Sequence, residues 1–337
     1  MKLKNRITIL FFFLFFCASG CSAEKQIVLS GKTMGTTWRV VIISGEKKVP
    51  ADLKQDIKQT LKSINKSMSL FDDESELSHF NKSEAVKGKF CGSDEFISLF
   101  KVGKNLYNLS NGSWDGTIGP LVNLWGFGNT TREISLPPDS KIRERLKSTG
   151  FKHIRLINEH CLVKDLPGIV LDFGSIAKGY GVDVLAELLR KNGINNFLVE
   201  IGGEVYASGN KINKLWKVGI KTPELLPQSN RIYKVIELEN MAIATSGDYR
   251  NFREINGKLY SHIISPLTGY PVTNKVASVS VTATSTAFAD GLATAVMVMG
   301  TTDGLQLVNS LEDIECLVIT REENGKFSAH TSSAWGK

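Results

Sequence analysis

The segment LDFGSIAKGYGVD, from Leu171 to Asp183, predicts a strand end, a glycine turn and a helix start in direct succession. Gly174 permits a tight turn, and the residues after it place apolar side chains at helical spacing until Gly193 ends the pattern. Free backbone N–H groups at such a helix start, with Lys178 one turn inside it, are suited to a phosphate, and Asp172 at the strand end is an acceptor or a metal ligand. An ordinary strand-to-helix turn with a solvated lysine has the same pattern, so other segments must decide between the two.

Helices and strands are mixed along the rest of the sequence. Apolar residues at spacings of three and four predict helices over 51–69, 93–110 and 286–299, and residues 70–81 are predicted to form a polar loop. Strand and hairpin patterns follow one another between 197 and 262, and no G-x-G-x-x-G with a following acid is present, which disfavours a Rossmann fold. The sequence therefore predicts an α+β fold with mixed, largely antiparallel sheets and packed helices.

The N-terminus has the features of an export signal. It begins with three basic residues, continues with an apolar run over 7–16 that is too short to span a membrane, and ends in small residues before Cys21. These small residues resemble a bacterial lipobox. We expect residues 1–20 to be a signal peptide, Cys21 to carry lipid, 21–30 to form a tether and 31–337 to form one domain, anchored in the bacterial cell envelope on the periplasmic face. The alternative is simple cleavage that gives a soluble secreted protein.

Composition and charge exclude other classes of protein. The chain of 337 residues is 42% hydrophobic and 22% charged, which is typical of a globular protein. Loss of the predicted signal lowers the formal net charge from +7 to about +4, and without a dense basic run nucleic-acid binding is not expected. Cys91, Cys161 and Cys316 are an odd and widely spaced set without a CxxC pair. We therefore expect three small buried thiols and neither a disulfide framework nor a thiolate metal site.

The segment NGSWDGTIGPLVNLWGFGN, residues 111–129, combines five glycines with two tryptophans. Aromatic surface in a glycine-rich loop suits stacking on a flat ligand, with Asp115 and Asn123 as polar contacts. Burial of both tryptophans in the core is the alternative that the composition leaves open.

The segment TAFADGLATAVMVMG, residues 286–300, predicts a helix that is apolar on every side and carries one charge, Asp290. A buried carboxylate needs a cation or hydrogen-bond donors, and Thr294 projects from the same face one turn later. Two oxygen ligands on one helix edge suit Mg²⁺ beside a phosphate. The alternative is an internal ion pair between Asp290 and an arginine or lysine.

Eight motifs occur in order over nearly the whole mature chain: TMGTTW, SELSHFN, SWDGTIGPLVNLWGFG, LDFGSIAKGYGVD, EIGGEV, ATSGDYRN, SHIISPLTG and ADGLATAVMVMG. Together they resemble the ApbE family of FAD:protein FMN transferases. The resemblance implies a T-fold-like domain with its ligand in a central cleft, and Mg²⁺-dependent cleavage of FAD that releases AMP and joins FMN to a threonine or serine of a partner protein. It also implies that the partners are flavin-bearing subunits of membrane electron-transport complexes of the Nqr or Rnf type.

The same resemblance assigns roles to individual residues, with His262 as the catalytic base toward the acceptor hydroxyl, since histidine titrates near neutral pH. The residues that it places against FAD are Met34, Phe71, Ser113, Trp114, Asp115, Asp172, Lys178 and Ile264. Those that it places around the metal are Ser175, through its carbonyl, together with Asp290, Ala293 and Thr294.

The chain departs from some members of the family at Ser265 and Ala293, where those members carry acids, and at Glu204, where others carry aspartate or alanine. The first two departures put a second metal ion in doubt. The alternatives to a transferase are an FAD pyrophosphatase that gives FMN and AMP, a non-catalytic flavin-binding lipoprotein, and a structural lipoprotein without flavin.

Overall fold

The computed structural model describes residues 25–45, 48–83, 86, 88–128, 136–224, 231–248, 252–255 and 258–336. The predicted signal peptide and Cys21 lie outside these residues. The tether predicted over 21–30 is too long, because the chain is already a strand from Lys25 onward and pairs with its neighbour from that residue. Residues 25–30 therefore belong to the folded domain.

An antiparallel sheet of eight strands forms the centre of the fold, in the order β1-β2-β6-β7-β10-β13-β14-β15. Three smaller antiparallel sheets, β3-β5-β4, β8-β9 and β11-β12, surround it. The strands are β1 Lys25–Thr33, β2 Thr36–Ser44, β3 Phe90–Cys91, β4 Ile154–Ile157, β5 Cys161–Lys164, β6 Phe197–Ile201, β7 Glu204–Ser208, β8 Trp216–Lys221, β9 Ile232–Leu238, β10 Met241–Gly247, β11 Phe252–Ile255, β12 Lys258–Ser261, β13 Val276–Ala283, β14 Glu315–Arg321 and β15 Phe327–Thr331.

Helices pack against one face of the large sheet, and the β8–β9 hairpin packs against the other. Strand β2 shows why both faces are apolar: Val40 and Ile42 point into the helical layer, whereas Val41 and Ile43 point to the hairpin side. The helices are α1 Leu53–Met68, α2 Glu76–Lys82, α3 Asp94–Leu109, α4 Gly119–Leu124, α5 Asp139–Leu146, α6 Ala177–Lys191, α7 Thr286–Met299 and α8 Thr301–Asn309. The predicted α+β class is confirmed.

Three of the predicted helices are confirmed as α1, α3 and α7. The loop predicted over 70–81 is wrong in its second half, where α2 begins at Glu76. Ser75 accepts a hydrogen bond from the backbone N–H of Ser78 and starts α2, as a serine N-cap does. Ser93 and Ser285 start α3 and α7 in the same way. No helix in the described ranges is long and apolar enough to cross a membrane.

Helices α6 and α7 approach each other closely at Gly179. A Cβ atom at this position would lie 2.5 Å from the carbonyl oxygen of Thr286 and 2.7 Å from Cα of Ala287, so the contact requires glycine. Asp183, one turn further along α6, accepts hydrogen bonds from the backbone N–H groups of Thr286 (2.7 Å) and Ala287 (3.0 Å) and from Oγ of Ser285 (2.8 Å). The start of α7 is thereby fixed to α6.

The small sheet β3-β5-β4 carries a disulfide between Cys91 and Cys161, whose Cα atoms are 4.0 Å apart. The prediction that these two cysteines are separate thiols is therefore wrong. They are opposite each other in the β3–β5 register, a relation that the sequence does not reveal because the two cysteines are 70 positions apart. Cys316 is a free, fully buried thiol, as predicted.

Replacing both Cys91 and Cys161 with serine should lower the free energy of unfolding by about 4 kcal/mol, because the cross-link restricts a long loop of the unfolded chain. Urea unfolding of the double variant and of the oxidised wild type measures the difference. Dithiothreitol should bring the wild type to the midpoint of the variant and leave the variant unchanged. Equal midpoints for the oxidised wild type and the variant would contradict the disulfide.

Candidate functional site

A cleft of about 760 Å³ lies among several elements of the fold, and its volume suits a nucleotide-sized ligand. Strands supply hydroxyl groups, glycines and acids to its lining, loops supply aromatic and histidine side chains, and α6 and α7 supply charges. The lining comprises Thr36, Thr37, Glu200, residues 202–204, 219–221 and 245–247 from strands and their turns, residues 113–116, 118 and 122, residues 172, 174 and 175, residues 262–264 and 266, Lys178 of α6, and Asp290, Thr294 and Val298 of α7.

Lys178 is held between two buried carboxylates. Its Nζ donates a short hydrogen bond to Oε1 of Glu204 at the start of β7, and it lies 3.5 Å from Oδ2 of Asp290 on α7. Glu204 and Asp290 are 4% and 3% exposed, so both acids depend on this lysine for charge compensation. The internal ion pair left open for Asp290 in the sequence is therefore present.

Burial and charge act in opposite directions on the pKa values of this group. Burial raises the pKa of Asp290, and the Lys178 ammonium and the N–H of Gly179 oppose that rise. For Lys178, burial lowers the pKa, but the carboxylates of Asp290 and Glu204 outweigh it and raise the pKa above its usual value. Lys178 is therefore protonated at neutral pH and supplies the positive charge between the two acids.

One oxygen of Asp290 remains available to a ligand. Oδ2 accepts from the backbone N–H of Gly179 at 3.3 Å and faces Lys178, whereas Oδ1 has no hydrogen-bond donor among the described residues. Oγ1 of Thr294, one turn later on α7, is 3.0 Å from Oγ of Ser246 and also lines the cleft. No three His, Cys, Asp or Glu side chains cluster as a metal site in the part of the chain that the structure covers. A single carboxylate with a hydroxyl nevertheless fits Mg²⁺, which takes few protein ligands when phosphate and water complete its shell.

The start of α6 offers fewer free donors than the sequence predicts. The N–H of Ala177 donates to the carbonyl of Phe173 at 2.8 Å, and that of Gly179 donates to Asp290. Asp172 lies in the cleft lining, with Oδ1 accepting from the N–H of Gly174 at 2.7 Å. The strand end predicted at Leu171 to Phe173 is wrong, because these residues form no strand. Burial raises the pKa of this carboxyl.

The glycine-rich loop turns its tryptophans inward, so the prediction that they stack on a flat ligand is wrong. Trp114 is 2% exposed and packs on Phe151, and its Nε1 donates to Oγ of Ser175 at 3.0 Å. Trp125 is equally buried and donates to the carbonyl of Gly269 at 2.8 Å. Trp114 is nevertheless one of the residues that line the cleft.

Asp115 lines the cleft, but its carboxylate holds the loop in place. Oδ1 accepts from the N–H and Oγ1 of Thr117 at 2.8 and 2.7 Å, and Oδ2 accepts from the N–H of Phe151 at 3.3 Å. Burial raises the pKa of Asp115. A role toward FAD stays a prediction for Ser113 and Asp115, whereas the observed bonds of Asp115 are structural.

His262 lies in the cleft lining directly after β12, half-buried, with its ring edge against Phe127 at a centroid distance of 6.4 Å. Oγ of Ser261 accepts the N–H of Ile263 at 3.1 Å, and Ile264 forms a bridge with Pro271. These contacts fix the backbone on the C-terminal side of His262. Ile264 is buried and lines the cleft, as its predicted contact with FAD requires.

Three predicted site residues lie outside the cleft lining. Phe71 is 84% exposed, Met34 occupies the β1–β2 turn with φ 47° and packs toward Gly181, and Ala293 is fully buried. The methyl group of Ala293 has no metal-binding atom. The remaining predicted residues, from Ser113 to Thr294, line the cleft together, whereas these three are not among its lining residues.

The role of Glu204 was not predicted from the sequence, where this residue was noted only as a difference from other members of the family. The available signal was an acid directly after Gly202–Gly203, on a strand whose five residues are all buried. A buried acid next to a glycine pair that permits close backbone approach indicates a charged partner. That partner is Lys178.

Comparisons with known proteins agree with this arrangement. The model of the ApbE family matches residues 34–318. A Vibrio cholerae protein named FAD:protein FMN transferase is 40% identical over 320 residues, which cover 94% of each chain, and a Haemophilus influenzae protein of the same name is 37% identical over 326 residues, covering 95% of this chain and 93% of that one. The solved structure of the flavin transferase ApbE from V. cholerae superposes with a TM-score of 0.83 at 38% identity, covering 93% of this chain and 98% of that chain. The apo flavinyl transferase ApbE from Pseudomonas stutzeri gives 0.83 at 34% identity, with 93% and 96% coverage.

Proposed function

This chain belongs to the ApbE family, and from that membership we propose that the cleft around Lys178 binds FAD and presents it to a hydroxyl group of a partner protein. The protein is a transferase that moves the FMN part of FAD to protein. The acceptor that we propose is a threonine or serine. The observation that carries the proposal is the set of charges in the cleft: Lys178 and Asp290 are in contact, and His262 belongs to the same lining.

The transfer forms one bond and breaks another. The acceptor oxygen bonds to the phosphorus of the FMN part, the bond from that phosphorus to the bridging oxygen breaks, and AMP leaves with the bridging oxygen. His262 accepts the proton of the acceptor hydroxyl, as a general base within the cleft. Lys178, held in place by Glu204, faces the phosphate region with its positive charge.

The charge of the lining supports a requirement for Mg²⁺. Five acids and two lysines are among the described lining residues, and one of these lysines, Lys178, already pairs with two of the acids, so the lining has little positive charge to offset an FAD diphosphate. Asp290 and Thr294 would hold the ion, and Ser175, whose carbonyl the family resemblance assigns to the metal, is in the same lining. The ion supplies charge neutralisation at the diphosphate.

We also propose an extracytoplasmic location, with a lipid on Cys21 as the anchor to the membrane. The Cys91–Cys161 disulfide supports this location, because such bonds persist in oxidising compartments and are rare in the cytosol. Flavin-bearing subunits of Nqr- or Rnf-type complexes are the partners that fit a membrane-anchored enzyme of this kind.

Incubation of the purified protein with FAD, with or without Mg²⁺ and an acceptor peptide, tests the function. With Mg²⁺ and peptide, we expect AMP release and a gain in peptide mass equal to one FMN, and chelation with EDTA should abolish both. Free FMN and AMP without peptide modification would identify a pyrophosphatase instead. FAD binding without AMP release would identify a flavin-binding lipoprotein, and absence of flavin binding would overturn the proposal entirely.

A further inference from the structure

The segment that carries Asp172 into the cleft has no regular secondary structure, yet its backbone is held from two sides. The side chain of Asn81 forms two hydrogen bonds with one residue: Nδ2 donates to the carbonyl of Leu171 at 2.8 Å, and Oδ1 accepts the N–H of Leu171 at 2.7 Å. The N–H of Asp172 donates to the carbonyl of Gly116 at 2.6 Å. The side chain of Asn81 therefore pairs with both the N–H and the carbonyl of Leu171, as the backbone of a neighbouring strand would.

Asn81 is itself held by a buried cation. It lies in the last turn of α2, and Nζ of Lys164 donates to the carbonyls of Phe80 (2.6 Å), Asn81 (3.3 Å) and Ser83 (3.0 Å) at that helix end. Lys164 is 1% exposed, and besides these carbonyls its Nζ contacts the ring of Phe80, 4.5 Å from the ring centroid. A positive charge at a helix C-terminus stabilises the last turn.

We propose that Asn81 is a positioning residue for Asp172, and that Lys164 fixes the helix end from which Asn81 reaches Leu171. The inference rests on the proposed function, since it takes Asp172 to contact FAD. One oxygen of Asp172 accepts from Gly174, and Oδ2 has no donor in the described part of the chain. A carboxylate oxygen accepts from hydroxyl or ring N–H groups and repels phosphate, so Asp172 meets the sugar or base portion of the nucleotide.

The test measures FAD affinity by the change in flavin fluorescence on binding, and it uses a double-mutant cycle. Asp172→Ala should weaken FAD binding about 10- to 100-fold, the value of a hydrogen bond to a charged group. Asn81→Ala should weaken binding about tenfold in the wild-type background, because Asp172 loses its fixed position. In the Asp172→Ala background the same change should have an effect of about twofold or less, since residues that act as a unit are not additive.

Two milder variants keep the test decisive if Asn81→Ala does not fold. Asn81→Asp retains the acceptor for the Leu171 N–H and loses the donor, and Lys164→Met retains the length of the side chain and loses the ammonium group. Both should weaken FAD binding in the wild-type background and have little effect in the Asp172→Ala background. Asn274→Ala is the matched control: this asparagine also joins two backbone segments, at Met297 and Val276, and neither leads to Asp172.

The outcomes separate the inference from the function on which it rests. Equal losses of affinity from Asn81→Ala in both backgrounds, or an equal loss from Asn274→Ala, would show a general structural role and overturn the inference. If the wild type binds FAD and Asp172→Ala binds it equally well, Asp172 does not contact the nucleotide and the inference fails alone. If the wild type binds no FAD, the proposed function fails first.

Discussion

Replacement of His262 with alanine is expected to lower the rate of FMN transfer about 10²- to 10⁴-fold, the usual contribution of a positioned general base. The affinity for FAD should remain close to that of the wild type, because the base acts on the acceptor hydroxyl. Single-turnover transfer to an acceptor peptide, with AMP measured by chromatography, gives the rate, and flavin fluorescence gives the affinity.

His262→Gln serves as the matched variant for this experiment. Glutamine keeps a polar side chain of similar length next to Phe127 but is not a base, so it should be as slow as alanine. Added imidazole should restore part of the rate of the alanine variant, which has the space to admit it. A rate within about threefold of the wild type in both variants, well below the effect of a general base, would exclude His262 from proton transfer.

Replacement of Asp290 with asparagine is expected to lower the rate about 10²- to 10³-fold, as the loss of one preorganised electrostatic group does. A second effect, on stability, is specific to the metal ion. At a Mg²⁺ concentration 100 times the dissociation constant, the wild type should gain about 2.7 kcal/mol, and Asp290→Asn should gain none. Thermal unfolding with and without Mg²⁺, in the absence of FAD, measures this difference without reference to catalysis.

Glu204→Gln is the control for charge in that experiment. It removes one negative charge from the same lysine, at a carboxylate that is 4% exposed, but it leaves the predicted metal ligand in place. Its unfolding temperature should still rise with Mg²⁺. If both variants lose the response, the net charge of the site explains the effect, and Asp290 is not a specific ligand.

Local patterns in the sequence predicted much of the fold. The stripe of α1 and the wholly apolar α7 were evident from periodicity, because helix formation and burial depend on neighbours three and four residues away. The sequence also predicted that residues 171–183 and α7 contribute to the cleft, because charged residues interrupt apolar runs in both. The contact of Lys178 with Asp290 was not, since it joins two helices through tertiary packing.

Three errors have a common physical origin. The Cys91–Cys161 bond depends on strand register, the inward turn of Trp114 depends on the space beside Phe151, and the early start of β1 depends on a partner strand. Composition describes which side chains are available and not which way they turn or which distant segment they meet. Glu204 belongs with these cases, because its partner is remote in the sequence.

The glycine at the crossing of α6 and α7 lowers the stability of one helix but permits a contact between the two helices. A glycine in the middle of a helix costs about 0.5–1 kcal/mol relative to alanine, and Gly179, in the first turn of α6, costs at most that amount. In return the two helix axes come close enough for an ammonium on one to reach a carboxylate on the other. Replacement of glycine with alanine stabilises most helices. At position 179 the added methyl group would push α6 and α7 apart, so efforts to raise the thermal stability of this enzyme should leave this glycine unchanged.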